Sequence, residues 1–364
     1  MNKTAVVILN WNGKHFLQQF LPALVEHTSL PGVALVVADN GSTDGSQAFL
    51  QQAYPQIRLI VFDKNYGFTG GYNRALQQVD ADYYVLLNSD VEVTANWLQP
   101  LTAALDSQPE VAVCMPKIRS FHRRTAFEYA GAAGGFIDKY GFPFCRGRIL
   151  SHIEEDRGQY DTPRRIFWAS GACMMLRAAV FHRLGGFDDD FFAHMEEIDL
   201  CWRVQQLGYS VMCLPQAVVY HVGGGTLPKE TPWKLYLNYR NNLYMLYKNL
   251  SGRKRSALLA ARLVFDGVAA GVYCLQGKFT FFAAVWKAHL HFWKRRKTLR
   301  TKRLPQCNRP VAGIYPASVV LGFYLSKKKR TFGGLRISNY PMYPRAYARG
   351  YNNVAPSAFR PANP

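Results

Sequence analysis

Tyr83-Tyr84-Val85-Leu86-Leu87-Asn88-Ser89-Asp90-Val91-Glu92-Val93 is an apolar run that stops abruptly in polar residues. Without polar alternation it reads as a strand buried on both faces, as in a parallel sheet covered by helices. In open sheets of that kind the ligand crevice lies off the carboxyl ends of the strands, which is where Asn88, Ser89 and Asp90 fall. Extended residues i and i+2 share a face, so Asp90 and Glu92 are expected to address the same space. Paired hard oxygens at a strand end suit Mg2+ or Mn2+, which keep waters and bridge to substrate phosphates. The competing reading is a solvated turn with two unrelated acids, because an Asp-x-Glu pair is weak by itself.

Upstream, the same arrangement occurs three times. Ala5-Val6-Val7-Ile8-Leu9 ends at Asn10-Trp11-Asn12-Gly13, with a helix expected over 15–27. A strand over 33–38 stops at Asp39-Asn40-Gly41-Ser42-Thr43-Asp44-Gly45-Ser46, where Thr43 or Asp44 can cap the next helix and Asp39 is free to face the crevice. A third strand over 57–62 runs into Asn65-Tyr66-Gly67-Phe68-Thr69-Gly70-Gly71-Tyr72-Asn73, which opens a helix to about residue 79. Strands alternating with helices in this way mean βαβ units and a parallel sheet. The Gly-x-Gly-x-x-Gly turn of a dinucleotide-binding enzyme is missing after the first strand. Gly67 to Gly71 instead mark close approach of backbone to a ligand or a neighbouring helix.

Downstream, the pattern gives a helix over 95–105, a strand over 111–114 and an unassigned stretch over 120–165 that reads as a substrate-side loop or hairpin region. A strand over 167–176 and a short helix over 177–184 follow. Trp168 and Trp202 read as core or acceptor-wall aromatics, and Asp188, Asp189 and Asp190 as a solvated turn rather than a second metal cluster. Glu196-Glu197-Ile198-Asp199-Leu200-Cys201-Trp202-Arg203 begins a helix with its acids in the first turn, where the macrodipole favours their ionised form. Val218-Val219-Tyr220-His221 is a last strand.

The chain of 364 residues, 49% of them hydrophobic, can bury a full α/β core and carry an appendage. Its formal charge of +20 is unevenly spread: residues 251–330 hold 18 Lys/Arg and a single acid, Asp266, whereas residues 1–250 hold 22 Lys/Arg and 23 Asp/Glu. Seven cysteines with no Cys-x-x-Cys pair fit a reducing cytoplasm better than a disulfide framework or a zinc site. No signal peptide is expected, since Met1 leads straight into a strand.

Together these stretches resemble glycosyltransferase family 2, the inverting nucleotide-sugar transferases with the GT-A fold, and within it rhamnosyltransferase- and galactofuranosyltransferase-like members. Four motifs carry the likeness over residues 4–250: those at Val7–Gly13, Asp39–Ser46, Leu87–Glu92 and Glu196–Arg203. The resemblance implies an α/β GT-A fold with a mostly parallel, Rossmann-like sheet over residues 1–230. It places Asp39 on the pyrimidine base, with Asn65 and the Gly70-Gly71 turn nearby. Asn10, Asn12, Asn40, Ser42, Asn73, Asn88 and Ser89 fall on the same nucleotide-sugar side. Asp90 stands as the last acid of an Asp-x-Asp motif whose first position is Asn88 here. Glu92 and His221 are its expected partners on Mg2+ or Mn2+. Glu197 stands where the catalytic base, usually Asp, is found, with Glu196 and Asp199 as rivals. Trp168, Gly171 and Glu196 are assigned to the acceptor side.

Residues 231–303 read as helices with basic ends and aromatic faces, the composition of interfacial helices on an anionic leaflet, and residues 304–364 as an extended basic tail. The most apolar window, residues 256–275, is about long enough to span a bilayer, yet Arg262 and Asp266 near its middle favour an interfacial or protein-covered helix. A nucleic-acid partner is not expected, for want of any recognition module. The expectation is a metal-dependent inverting transferase, peripheral on the inner face of the plasma membrane. It would use dTDP-rhamnose or a UDP-sugar and a saccharide acceptor, such as a polyprenyl-diphosphate-linked one, in bacterial cell-surface polysaccharide or O-antigen assembly. The alternatives are a catalytically idle membrane-surface scaffold and a nucleotidyltransferase.

Overall fold

The computed structural model describes residues 2–223, 231–304 and 311–337. β1 (Asn2–Asn10), α1 (Lys14–Thr28), β2 (Val33–Asp39), α2 (Ser46–Ala53), β3 (Arg58–Val61), α3 (Gly67–Leu76) and β4 (Ala81–Asn88) follow the expected alternation. Next come β5 (Val91–Val93), α4 (Gln99–Ser107), β6 (Val111–Ser120) and the short strands β7 (Gly135–Asp138), β8 (Pro143–Cys145), β9 (Arg148–Ile149), β10 (His152–Ile153) and β11 (Arg164–Ile166). β12 (Cys173–Arg177), α5 (Ala178–Arg183), α6 (Glu196–Gln206) and β13 (Ser210–His221) precede a helical part of α7 (Pro232–Asn249), α8 (Gly252–Leu275) and α9 (Phe279–Thr301). β14 (Ile314–Tyr315) and α10 (Val319–Leu325) follow.

Nine strands form one sheet in the order β11-β13-β6-β12-β4-β1-β2-β3, with β5 added on β13. β3, β2, β1 and β4 are mutually parallel, β12 runs antiparallel between β4 and β6, and β13 is parallel to β6. Val6, Val7, Val85 and Leu86 in the two central strands are fully buried, which accounts for their unbroken apolar runs. Register then sets the site. Asn10 lies opposite Asp39 and Leu9 opposite Asn88, so β2, β1 and β4 end level with one another.

The unassigned stretch over 120–165 supplies most of a second sheet, ordered β10-β9-β8-β7-β14. Its last strand comes from the expected tail, because β14 pairs in parallel with β7. Tyr315, Val319, Phe323, Phe332 and Leu335 are buried in the main core. Residues 311–337 are therefore folded onto the domain, and the rest of the expected tail lies outside the described residues apart from Leu304.

Candidate active site

Asp39 ends β2 fully buried, and its carboxylate is already engaged. It accepts from Asn10 Nδ2 (3.0 Å), the Ser42 amide (2.9 Å) and Gln47 Nε2 (2.8 Å). A carboxylate offers about four acceptor positions, so one remains for a ligand; Asp39 is oriented by its neighbours rather than free. Asn10 Oδ1, also buried, has no partner. Ser42 Oγ ties the turn together by accepting from Asn10 Nδ2 and the Asn12 amide, while Asn12 Oδ1 takes the Thr43 amide. Asp44 serves two helices at once, accepting from the Lys14 amide at the start of α1 and the Ser46 amide at the start of α2.

Asn40 Nδ2 donates to Asn65 Oδ1 (3.0 Å) and its Oδ1 accepts the Tyr66 amide (3.0 Å), so the two motif turns are stitched to each other. Gly71 lets α3 lie on β1, since a Cβ there would come within 2.7 Å of the Leu9 side chain. A Cβ on Gly70 would meet Tyr66 and Arg74 at 3.1 Å, and one on Gly171 would meet Phe68 at 3.0 Å. These glycines permit close packing. Asn73, expected on the nucleotide side, is spent on the turn before α6: its Nδ2 donates to the Phe187 carbonyl (2.9 Å) and Asp189 (2.7 Å), and its Oδ1 accepts the Phe187 amide.

At the end of β4, Asp90 is buried and its Oδ1 stands 3.2 Å from His221 Nε2, delivered by β13. Glu92 departs from expectation. Ladder pairing sets Val91 against His221 and Glu92 against Tyr220, so alternation sends Glu92 to the other face of the ribbon. There it pairs with Arg124 (2.7 Å), whose guanidinium lies over Tyr220. The partner behind His221 is instead Glu128, from the unassigned stretch, with Oε2 3.5 Å from Nδ1. Burial alone would push the imidazole down, but Glu128 and then Asp90 raise it to about 10. Burial likewise opposes ionisation of Asp90, and the facing His221 more than offsets it, so that its pKa is lowered.

These groups fit a divalent ion provided that the ion displaces the proton that Glu128 and Asp90 hold on the imidazole, since only a neutral ring nitrogen can ligate. Cis ligands on an octahedral Mg2+ at about 2.1 Å lie about 3 Å apart, close to the observed Oδ1–Nε2 spacing, and a carboxylate behind the second imidazole nitrogen is the usual support for a ligating histidine. Among the described residues no group of three or more His, Cys, Asp or Glu clusters as a metal site.

Glu196 and Glu197 open α6 behind a strained loop in which Phe192, His194 and Met195 all have positive φ (65°, 70° and 70°). Such backbone persists only where its surroundings hold it. Here Asn241 Nδ2 on α7 donates to the carbonyls of Phe191, Ala193 and His194, and the Phe192 carbonyl accepts the first amides of α3. Glu196 Oε2, Glu197 Oε2 and His194 Nε2 are buried without a partner. Burial raises Glu197 to about 7 and, with Glu197 beside it, lifts Glu196 well above the carboxylate range. Desolvation thus outweighs the helix dipole that the sequence pattern suggested. Asp199, a rival for the base, is committed elsewhere: it binds Arg203 (2.8 Å), Lys248 (3.0 Å) and Asn249 (2.8 Å). The Asp188–Asp190 turn is no solvated loop either, since Asp188 pairs with Lys248 and Lys302 (both 2.6 Å) and Asp190 with Lys302 (2.7 Å). Trp168 is a core residue whose indole N–H donates to the Phe136 carbonyl (3.0 Å), and Trp202 packs edge-on against Phe167 in the same core.

Residues 5–185, about half of the chain, match the family model described as glycosyl transferase family 2. The chain belongs to that family and is a glycosyltransferase. It is 27% identical over 268 residues to an N-acetylglucosaminyl-diphospho-decaprenol L-rhamnosyltransferase of Mycobacterium tuberculosis, covering 70% of this chain and 87% of that protein. To the O-antigen biosynthesis protein RfbC of Myxococcus xanthus it is 26% identical, covering 65% of this chain and 19% of that one. Among solved structures, S. aureus TarS 1-349 in complex with UDP-GlcNAc superposes with a TM-score of 0.53 at 16% identity, covering 82% of this chain and 83% of that chain. GalNAc-T7 with UDP, GalNAc and Mn2+ gives 0.52 at 15% identity, covering 68% of this chain and 48% of that one, so this chain spans about half its length. The structural likenesses show the fold, GT-A.

Proposed function

We propose that the protein is an inverting, divalent-metal-dependent transferase that moves a sugar from dTDP-rhamnose or a UDP-sugar to a polyprenyl-diphosphate-linked saccharide during bacterial cell-surface polysaccharide synthesis, O-antigen included. The reading places it on the cytoplasmic face of the membrane. The observation that carries it is the Asp90–His221 pair at the level ends of β1, β2 and β4. Asp39, oriented by Asn10, Ser42 and Gln47, presents its remaining lone pair to the base, and Asn10 Oδ1 offers an unused acceptor beside it. Asn12, Asn40, Ser42 and Asn65 shape that turn, and Asn88 and Ser89 border it at the end of β4. Asp90 and His221 would hold Mg2+ or Mn2+, with Glu128 fixing the imidazole, and the ion when bound supplies Lewis-acid stabilisation of the leaving diphosphate. Glu197 takes the proton of the acceptor hydroxyl as that oxygen attacks the anomeric carbon in line, while Glu196 borders the acceptor. The acceptor of the mycobacterial relative is the motive for the lipid-linked class.

The test is transfer from a panel of dTDP- and UDP-sugars to a synthetic polyprenyl-diphosphate-GlcNAc in the presence of Mn2+, with the anomeric configuration read by NMR. One donor should be used with inversion. Retention, or turnover undiminished by chelator, would remove the mechanism.

A further inference from the structure

We infer that the outer face of α8, continued by the exposed side of α9, is an in-plane docking surface for an anionic lipid bilayer, which it enters from one side without crossing. The inference deepens the proposal of a lipid-linked acceptor and rests on it for its purpose. A helix on a protein in water turns its charges outward and its apolar stripe inward. α8 does the reverse. Arg262 and Asp266 are 3% and 1% exposed and pair at 2.9 Å, and Asp266 also meets His289 of α9 at 3.0 Å. Arg262 lies over the Phe142 ring, and Phe265 packs on Tyr140 and Phe142. Outward stand Leu263, Val264 (66% exposed), Val268 (65%), Val272 and Leu275 (91%). α9 adds Phe282, Trp286 and Trp293.

The charge pattern names the occupant. Between Arg255 and Lys278 the only charged residues are the two turned inward, so the outer face is uncharged over most of a helix about 36 Å long. Arg253 and Lys254 flank it at one end and Lys278 at the other, and Lys294, Arg296, Lys297 and Arg300 lie exposed at the end of α9. Asp266 is the one acid on either helix and it is buried. An apolar strip rimmed by cations alone complements an anionic leaflet, apolar to acyl chains and basic to headgroups. α8 is long and apolar enough to cross a membrane. Its inner side, however, is covered by the β7–β8 hairpin, and a spanning orientation would draw that irregular backbone into hydrocarbon.

The test uses the full chain with phosphatidylcholine vesicles with and without phosphatidylglycerol. Cys274 is exposed and the other described cysteines are buried, so an environment-sensitive dye on Cys274, in a Cys307→Ser background, reports depth. The expected result is sedimentation with the anionic vesicles, release by alkaline carbonate, and quenching by nitroxides near the headgroup in preference to those at the bilayer centre. Val264→Glu/Val268→Glu should weaken partitioning at least about tenfold and leave nucleoside-diphosphate affinity, measured without vesicles, unchanged. Undiminished binding of that variant, carbonate-resistant insertion with quenching from the bilayer centre, or self-association of the chain in place of vesicle binding would each overturn it. Lost nucleotide binding with vesicle binding intact would sink the transferase reading and spare this one.

Discussion

Glu197 carries the sharpest consequence at the scale of a single side chain. Its rise from 4.5 to about 7 corresponds to roughly 3 kcal/mol, whereas a helix N-terminus returns about 0.3–1 kcal/mol; burial therefore wins. A group with a pKa near the working pH suits a general base. Glu197→Gln should lower kcat by about 10²-fold or more with donor affinity nearly unchanged, and Glu196→Gln should be milder. In the unmodified enzyme kcat/KM should climb with pH through a midpoint near 7. A midpoint near 4.5, or a crippling Glu196→Gln, would move the role off Glu197. The sign for stability follows from the raised folded-state pKa: its contribution is full below 4.5 and is lost as pH rises through 7. Melting temperatures of the ligand-free protein should show that decline, and Glu197→Gln should flatten it. The positions of Asp39 and His221 at strand ends, and of Asp90 in the turn just past one, were legible in the sequence because the apolar run of each strand is visible. Glu128 was not, since it meets His221 through a tertiary contact that no local spacing records, and Gln47, although only eight residues from Asp39, carries no motif signal of its own. Glu92 was misplaced because the i, i+2 rule presumes one continuous strand, and the chain turns at Asp90 between β4 and β5.

Between elements, α7 governs the geometry of α6. Lys248 reaches Asp188 and Asp199 and lies over the Phe191 ring, while Asn241 gathers three carbonyls of the strained loop. Held this way, Asp188 falls to about 2, its burial being more than offset by Lys248 and Lys302. Lys248→Met should cost about 3 kcal/mol in denaturant unfolding, because it strips a buried carboxylate of a partner. It should also reduce kcat more than nucleotide affinity, since the loop it steadies leads to Glu197 and not to Asp39. A stability loss under 1 kcal/mol would show that Arg203 and Asn249 suffice for Asp199. Sequence pattern placed α6 and α7 well but could not join them: the acids of 188–190 look solvated until Lys248 and Lys302 arrive from 60 and 114 residues away.

Across the whole molecule, the chain organises around the level ends of three parallel strands, with the unpartnered buried carboxylate oxygens of Glu196 and Glu197 brought in by α6 and an apolar, basic-rimmed helical face on α8 and α9. The alternating first ninety or so residues were readable because βαβ units are local. The second sheet was not, because its strands are two to four residues long and one of them, β14, returns from residues 314–315. Whether Asp90 and His221 bind a nucleotide through a divalent ion is read by calorimetric titration of the full chain with UDP and dTDP, with and without Mn2+. Mn2+ should tighten binding of one of them at least about tenfold, and Asp90→Ala should remove that gain while keeping the metal-free affinity and the fold. Equal affinity with and without Mn2+, or a gain that survives Asp90→Ala, would contradict the account.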